Sequence, residues 1–123
     1  MNAEISSVVN FQLNSLKLIL AIVFYITNIA DYYTTKISLE AGLREANPFA
    51  RRIMEWGWRK YQFFKFVGPA SMVATGLMSD DPNYVWSIAF AVGAGFFTYA
   101  AIQNMLLVAG RKIAEAQKLS DKR

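Results

Sequence analysis

The sequence predicts an all-α integral membrane protein: a three-helix bundle with a short cytoplasmic interfacial helix between its first and second spans. Three observations carry this expectation. Apolar residues make up 54% of the 123, and they collect in long windows nearly free of charge. A soluble domain of this size buries only about two thirds of its surface and needs polar residues to cover the rest. The windows are also the right length, since at about 1.5 Å per residue roughly 20 residues cross a hydrocarbon core. Finally, Lys and Arg gather on one side of the windows, as the positive-inside rule requires.

In chain order, residues 1–12 are short and mixed, with Glu4 and no basic residue. A cleaved signal peptide fits them poorly, because its charged region would hold only Lys17 and the site Asn28-Ile29-Ala30 lacks a small first residue. The first span is expected over about 13–37, the second over 61–78 and the third over 83–108, with a tail over 109–123. All four belong to a single membrane domain. Asp80, Asp81 and Pro82 between the last two spans make a tight hairpin connection. The connection after span one carries Arg44, Arg51, Arg52, Arg59 and Lys60, and the tail carries Arg111, Lys112, Lys118, Lys122 and Arg123, against Lys17 alone near the N-terminus. That bias puts the N-terminus outside and the C-terminus in the cytoplasm. It also accounts for the net charge of +4 without calling on nucleic acid.

Within the connection, Asn47-Pro48 is a helix start: an Asn cap, then Pro at the first position, where its missing N–H costs nothing. A helix over 48–60 would place Arg51, Arg52, Glu55 and Arg59 on one face and Phe49, Ile53 and Trp56 near the other. With Trp56, Trp58 and Tyr61 at headgroup level, it reads as an interfacial amphipathic helix. The tail continues span three into water.

The chain has no Cys and no His, which removes disulfides, thiolates, the commonest neutral-pH acid/base and the commonest metal ligand. No catalytic residue, metal or cofactor is expected on this basis. The polar groups that remain inside the spans form a layer. Asn28, Asp31 and Thr35 fall on one side of helix one at i, i+3, i+7. Counted from Lys36, Lys60 and Arg111, the residues Asp31, Lys65 and Asn104 sit at similar depth, about 7 to 10 Å inside the cytoplasmic boundary. Lys65 shares its side with Gly68, Met72 and Gly76, and Asn104 shares its side with Ala89, Gly93 and Ala100; small residues mark close helix approach. Pro69 cannot donate to the Lys65 carbonyl, which leaves a free acceptor in the same layer. The layer reads first as an Asp31–Lys65 ion pair that fixes helix packing, supported by Asn28, Thr35 and Asn104. It could instead bind a cation or relay a proton, or Lys65 could snorkel to the surface.

Gly42, Glu45, Asn47 and Pro48 form a second cluster. Gly42 suits a helix C-terminal turn, and Glu45 suits bonding to nearby backbone N–H groups. With Asp31, Glu45 could alternatively make an all-oxygen site for a hard ion such as Mg²⁺. Read as N-x-x-D-x-x-T-T and then G-x-x-E-x-N-P, the residues Asn28, Asp31, Thr34, Thr35, Gly42, Glu45, Asn47 and Pro48 resemble a family of small multi-pass membrane proteins of unknown function from bacteria, archaea and phages. The likeness covers about residues 25–70, Lys65 included. It implies a fold and a bacterial or archaeal cytoplasmic membrane, or a phage protein inserted there, and assigns no reaction.

The leading functional expectation is a non-catalytic accessory, assembly or scaffolding subunit in the lipid bilayer. It would form a homo- or hetero-oligomer through the small-residue faces of Ala89, Ala91, Gly93 and Gly95. A holin-like or ion-conducting oligomer, suggested by three spans and a basic tail, is second. A metal-dependent intramembrane enzyme using Asp31 and Glu45 is third.

Overall fold

The computed structural model describes residues 2–45, 47–80 and 84–122, with the side chains of 9–13 left out of the description. Among the described residues the chain is all-helical: α1 (Ala3–Glu40), α2 (Pro48–Glu55), α3 (Trp58–Met78) and α4 (Val85–Asp121). Asp81, Pro82 and Asn83, the centre of the expected hairpin and the first residue of the expected third span, lie outside the described residues, as does Arg123 of the tail.

The buried side chains of α1 set the architecture. Lys17, Ala21, Phe24, Asn28, Asp31, Thr35 and Ser38 are all buried, and they alternate four and three residues apart. On α4 the buried and half-buried Ser87, Phe90, Ala94, Phe97, Ala101, Asn104 and Val108 keep the same alternation. A seven-residue repeat on both partners is the spacing of a left-handed supercoiled seam. The two helices run parallel, with position 24 facing 93, 35 facing 104 and 42 facing 111, a constant offset of 69 residues. Gly93 lets them approach: a Cβ built there would lie 2.5 Å from Phe24 Cε2. Phe24 in turn packs against Phe90 and Phe97 with ring centroids 5.4 and 5.5 Å apart, at the centre of a core that includes Ala21 and Ala94.

α3 runs antiparallel to α1. Lys17 Nζ donates to the Ser79 carbonyl at 2.7 Å at one end, and Gln62 Nε2 donates to the Tyr32 hydroxyl at 2.7 Å toward the other. The buried Lys17 ammonium thus sits on the carbonyl terminus of α3, where a cation complements the helix dipole. Gly76 supplies the contact from α3 to α4; its Cβ would meet Phe90 and Trp86 within 3.0 Å.

α1 ends at Gly42, whose φ of 83° lets the Gly42 and Leu43 N–H groups donate back to the Leu39 and Ser38 carbonyls. This is the paired 5→2 and 6→1 closure of a helix C-terminus. The Arg111 guanidinium lies directly against Gly42 and supplies a cation at the same terminus.

Two helices are long and apolar enough to cross a membrane, over 14–40 and 85–121, with mean hydropathies of 1.4 and 1.7. Their outer faces expose Leu18, Ile19, Ile22, Val23 and Ile26 on α1 and Val85, Ile88, Val92, Ile102 and Leu106 on α4, which suggests insertion in a membrane. Among the described residues α3 does not meet that test, and its first half carries the polar Gln62 and Lys65, both bonded to α1. From residue 109 onward α4 is helical and every described residue is exposed.

Two expectations require correction, the extent of the interfacial helix and the inward face of α3. The helix expected over 48–60 ends at Glu55, because Gly57 adopts φ 128° and ψ 146°, a conformation essentially confined to glycine. Trp58, Arg59 and Lys60 therefore open α3, and Arg59 shares no helix with Arg51 and Arg52. Trp58 and Tyr61 stack on Tyr32, with centroids 5.8 and 6.2 Å away, and the ring of Tyr61 is buried. Gly68 and Met72 are exposed, since the inward face of α3 follows Tyr61, Lys65, Pro69, Val73 and Gly76 around its packing on α1. Of the small residues on α4, Gly93 and the half-buried Ala89 lie toward the seam, while Ala91 and Gly95 are exposed.

A substitution at Gly93 tests the seam. Gly93→Ala is expected to cost about 1–3 kcal/mol, because the buried Phe24 ring is held between two others and cannot yield. Gly95→Ala, which meets nothing within 4 Å, is expected to be neutral or mildly stabilising. Thermal unfolding of the two variants in the same detergent decides it; equal midpoints would mean that the seam is looser than described.

Candidate functional site

Asp31 stands on the buried stripe of α1, and a charge there is stabilised only by a partner. The partner is Lys65 of α3, whose ammonium makes an ion pair with the Asp31 carboxylate. Both side chains are close to, but not fully, enclosed, at 12% and 13% exposure. The ammonium also lies over the Phe97 ring, 4.3 Å from its centroid, so a π face on α4 contacts it as well.

Around this pair the polar layer closes through specific bonds. Pro69 interrupts α3 and cannot donate to the Lys65 carbonyl. Asn28 Nδ2 donates to that carbonyl at 3.0 Å, so a side chain of α1 replaces the lost helical bond. Asn28 is fully buried, and its Oδ1 has no partner among the described residues. Asn104 Nδ2 donates to Thr34 Oγ1 at 3.2 Å and Thr35 Oγ1 at 3.1 Å, tying α4 to α1 at the same level. The residues expected to share one layer, Asn28, Asp31, Thr35, Lys65 and Asn104, are therefore brought together.

The second cluster is built by local capping. Asn47 Oδ1 accepts from the N–H groups of Phe49 at 3.0 Å and Ala50 at 3.5 Å, with Pro48 at the first position of α2. Glu45 Oε1 accepts from the Asn47 N–H at 2.9 Å, which fixes the turn before the cap. Gly42 lines a separate shallow depression, which it shares with Leu39, Arg44, Glu45 and Arg51.

The two clusters meet in one place. A cleft of about 870 Å³ runs between α3 and α4, with α1 at its back and α2 across one end. Its polar end is lined by Asp31, Thr35, Lys65 and Asn104 from the layer, by Glu45, Asn47 and Pro48 from the connection, and by Arg52 and Gln103. The remainder is apolar and aromatic, including Phe49, Ile53, Trp56, Phe64, Phe96, Phe97 and Ala100. Phe64, Phe96 and Tyr99 are exposed and flank its mouth between the two helices. Concave, mostly apolar sites with a few converging polar groups are the usual form of small-molecule sites, and this volume is near the top of their range of about 300–1,000 Å³.

Chemically, the cleft offers hydrogen-bonding amides, one carboxylate and one guanidinium beside a neutralised ion pair. Asp31 is engaged by Lys65, and Glu45 accepts the Asn47 N–H of its own turn. Tyr32 and Gln62 were not singled out from the sequence, and Lys17 and Arg52 were read there only for topology and for the face of the interfacial helix. Tyr32 follows the marked Asp31 and lies one turn from Asn28, a detectable position. Lys17 begins the seven-residue stripe that ends at Ser38 and could have been found by extending it backward. Gln62 and Arg52 carry no such signal.

Residues 22–110 match the family model described as a domain of unknown function (DUF5658), and the chain belongs to that family. The matched range contains the whole of the motif that resembled an uncharacterised family. No curated protein and no solved structure matches the chain.

Two double-mutant cycles test the layer. Asp31→Asn is expected to destabilise by about 3–5 kcal/mol by stranding the ammonium, and Asp31→Asn with Lys65→Met by less than that single change. Damage equal to the sum of both singles would remove the pairing. Asn28→Ala is expected to cost about 1–3 kcal/mol, and clearly less when Pro69→Ala restores the backbone donor to the Lys65 carbonyl. Unfolding free energies that simply add in this second cycle would show that the Asn28 bond does not replace the helical one.

Proposed function

We propose that this member of a family without an assigned reaction is a non-catalytic integral membrane protein that holds an amphiphilic molecule in the cleft, as an accessory component of its membrane. In this reading α1, α3 and α4 all cross the bilayer as a three-helix bundle, with α1 and α4 parallel and α3 opposed. The apolar outer faces of α1 and α4 meet acyl chains, while the polar residues of α3 are spent against α1. α2 lies at the cytoplasmic surface, where the Lys and Arg of the connection and tail collect. Its Phe49 and Trp56, both largely exposed, suit the headgroup region.

The observation that carries the proposal is the convergence of both polar clusters on one cleft with an aromatic mouth. A site open toward the hydrocarbon along its apolar wall and closed by polar groups at the surface end matches a molecule with a tail and a head. Binding is favoured over catalysis because Asp31 is neutralised by Lys65 and neither His nor Cys is present to act as base or nucleophile. Ala91 and Gly95 remain on the outer face of α4 for packing against a neighbour, which keeps an oligomeric arrangement compatible with this role.

The natural absence of Cys makes each introduced thiol unique. Ser7→Cys is expected to react with an impermeant maleimide on intact cells and Ser120→Cys only after permeabilisation. Labelling of both from the same side would mean an even number of crossings and would remove α3 from the bilayer. For the cleft, Ala100→Trp is expected to lose co-purifying lipid when the protein is extracted in a mild detergent, and to match the thermal midpoint of the delipidated parent protein.

A further inference from the structure

Two of the charges around the cleft do not pair off, and they point to the kind of head that fills it. Four ionised side chains line the polar end: Asp31, Lys65, Glu45 and Arg52. Asp31 and Lys65 cancel. Glu45 has only the neutral Asn47 N–H on its carboxylate, and among the described residues it makes no ion pair. Arg52, exposed on α2, makes none either. One carboxylate and one guanidinium therefore line the same cleft without neutralising each other.

Resting on the reading of the cleft as an amphiphile site, we infer that its occupant is an aminophospholipid, a lipid with a primary ammonium and a phosphate in one head. The ammonium bonds to Glu45, the phosphate to Arg52, and one acyl chain lies along Phe64, Phe97 and Ala100. Each contact is a charge-assisted hydrogen bond, and the guanidinium fork suits phosphate oxygens. An anionic head without an amine would satisfy Arg52 but bring like charge to Glu45. A choline head has no N–H to give to the carboxylate, so its attraction to Glu45 lacks the hydrogen bond. The molecule enters sideways, past Phe64, Phe96 and Tyr99, without leaving the bilayer.

The test uses the full chain, delipidated in mild detergent and titrated by native mass spectrometry with phosphatidylethanolamine, phosphatidylglycerol and phosphatidylcholine of identical acyl chains. Phosphatidylethanolamine is expected to bind roughly tenfold tighter than the other two, the effect of one charge-assisted hydrogen bond. Glu45→Gln, which keeps the acceptor for the Asn47 N–H, is expected to abolish the preference over phosphatidylglycerol. Arg52→Gln, on an exposed helix face, is expected to weaken both phospholipids alike. Equal binding of the three lipids, or tighter binding of phosphatidylglycerol or phosphatidylcholine, overturns the assignment of the head while leaving the cleft in place. Absence of binding, or binding that Ala100→Trp does not diminish, overturns the cleft as a lipid site and the head assignment with it.

Discussion

The fold depends on a carboxylate placed where it cannot stand alone. Asp31 occupies the buried stripe of α1, and its charge is stabilised only because Lys65 arrives from an antiparallel helix at the same level. That requirement fixes how α3 slides along α1, since a shift of one turn, about 5.4 Å, would strand both charges. The neighbouring bond depends on the same register. Asn28 reaches the Lys65 carbonyl only when the ammonium of that residue reaches Asp31, so two interactions with opposite ends of one residue specify a single alignment. Lys17 on the Ser79 carbonyl repeats the constraint about 21 Å away along α1.

A buried ion pair contributes little net stability compared with well-packed apolar residues, whereas breaking one is costly. Its role here is therefore alignment and the character of the wall it forms. Stability comes instead from the seam of α1 with α4, where Phe24 seats on Gly93 between Phe90 and Phe97. The two kinds of contact divide the molecule along its length. Near Gly76 and Phe90, α3 and α4 are in close contact. Beyond Lys65 they frame the cleft, and α2 covers its end. The cleft thus occupies the end of the bundle where polar bonding replaces apolar packing.

Much of this was legible in the sequence, for reasons that differ by element. The layer could be read because Asn28, Asp31 and Thr35 share a helical face and because rise per residue converts chain position into depth. Pro69 identified the orphaned carbonyl, although nothing in the sequence named Asn28 as its donor. The C-terminal turn at Gly42 and the cap at Asn47 are local and were recoverable from residue type alone. The break at Gly57 was not, because a glycine after Trp56 is equally compatible with a continuous helix until φ is known. The meeting of the two clusters was legible only as the alternative that joins Asp31 to Glu45; the shared cleft depends on the direction in which α2 leaves the turn after Leu43, a tertiary outcome. Gly68 and Met72 were placed on the wrong side because the face was drawn from Lys65 through small residues, whereas α3 presents Tyr61, Pro69 and Val73 to its neighbours.

The unpartnered Oδ1 of Asn28 follows from the same economy of polar groups. A proline at 69 leaves one carbonyl of α3 without its donor in a partly buried layer, and a buried acceptor left unmet costs about 1–3 kcal/mol. Asn28 removes that cost with its Nδ2, but its amide cannot donate without carrying an oxygen into the same surroundings, and that oxygen faces no donor. The exchange is worthwhile only if Pro69 contributes something a regular helix would lose. Without the proline, Lys65 would keep a helical bond and Asn28 would have no reason to reach across. With it, the carbonyl and the ammonium of Lys65 are both bound by α1, and the side chain is turned away from the surface to stand as one wall of the cleft. The irregularity in α3 thus converts a lysine that could have extended to the headgroups into a fixed part of the site.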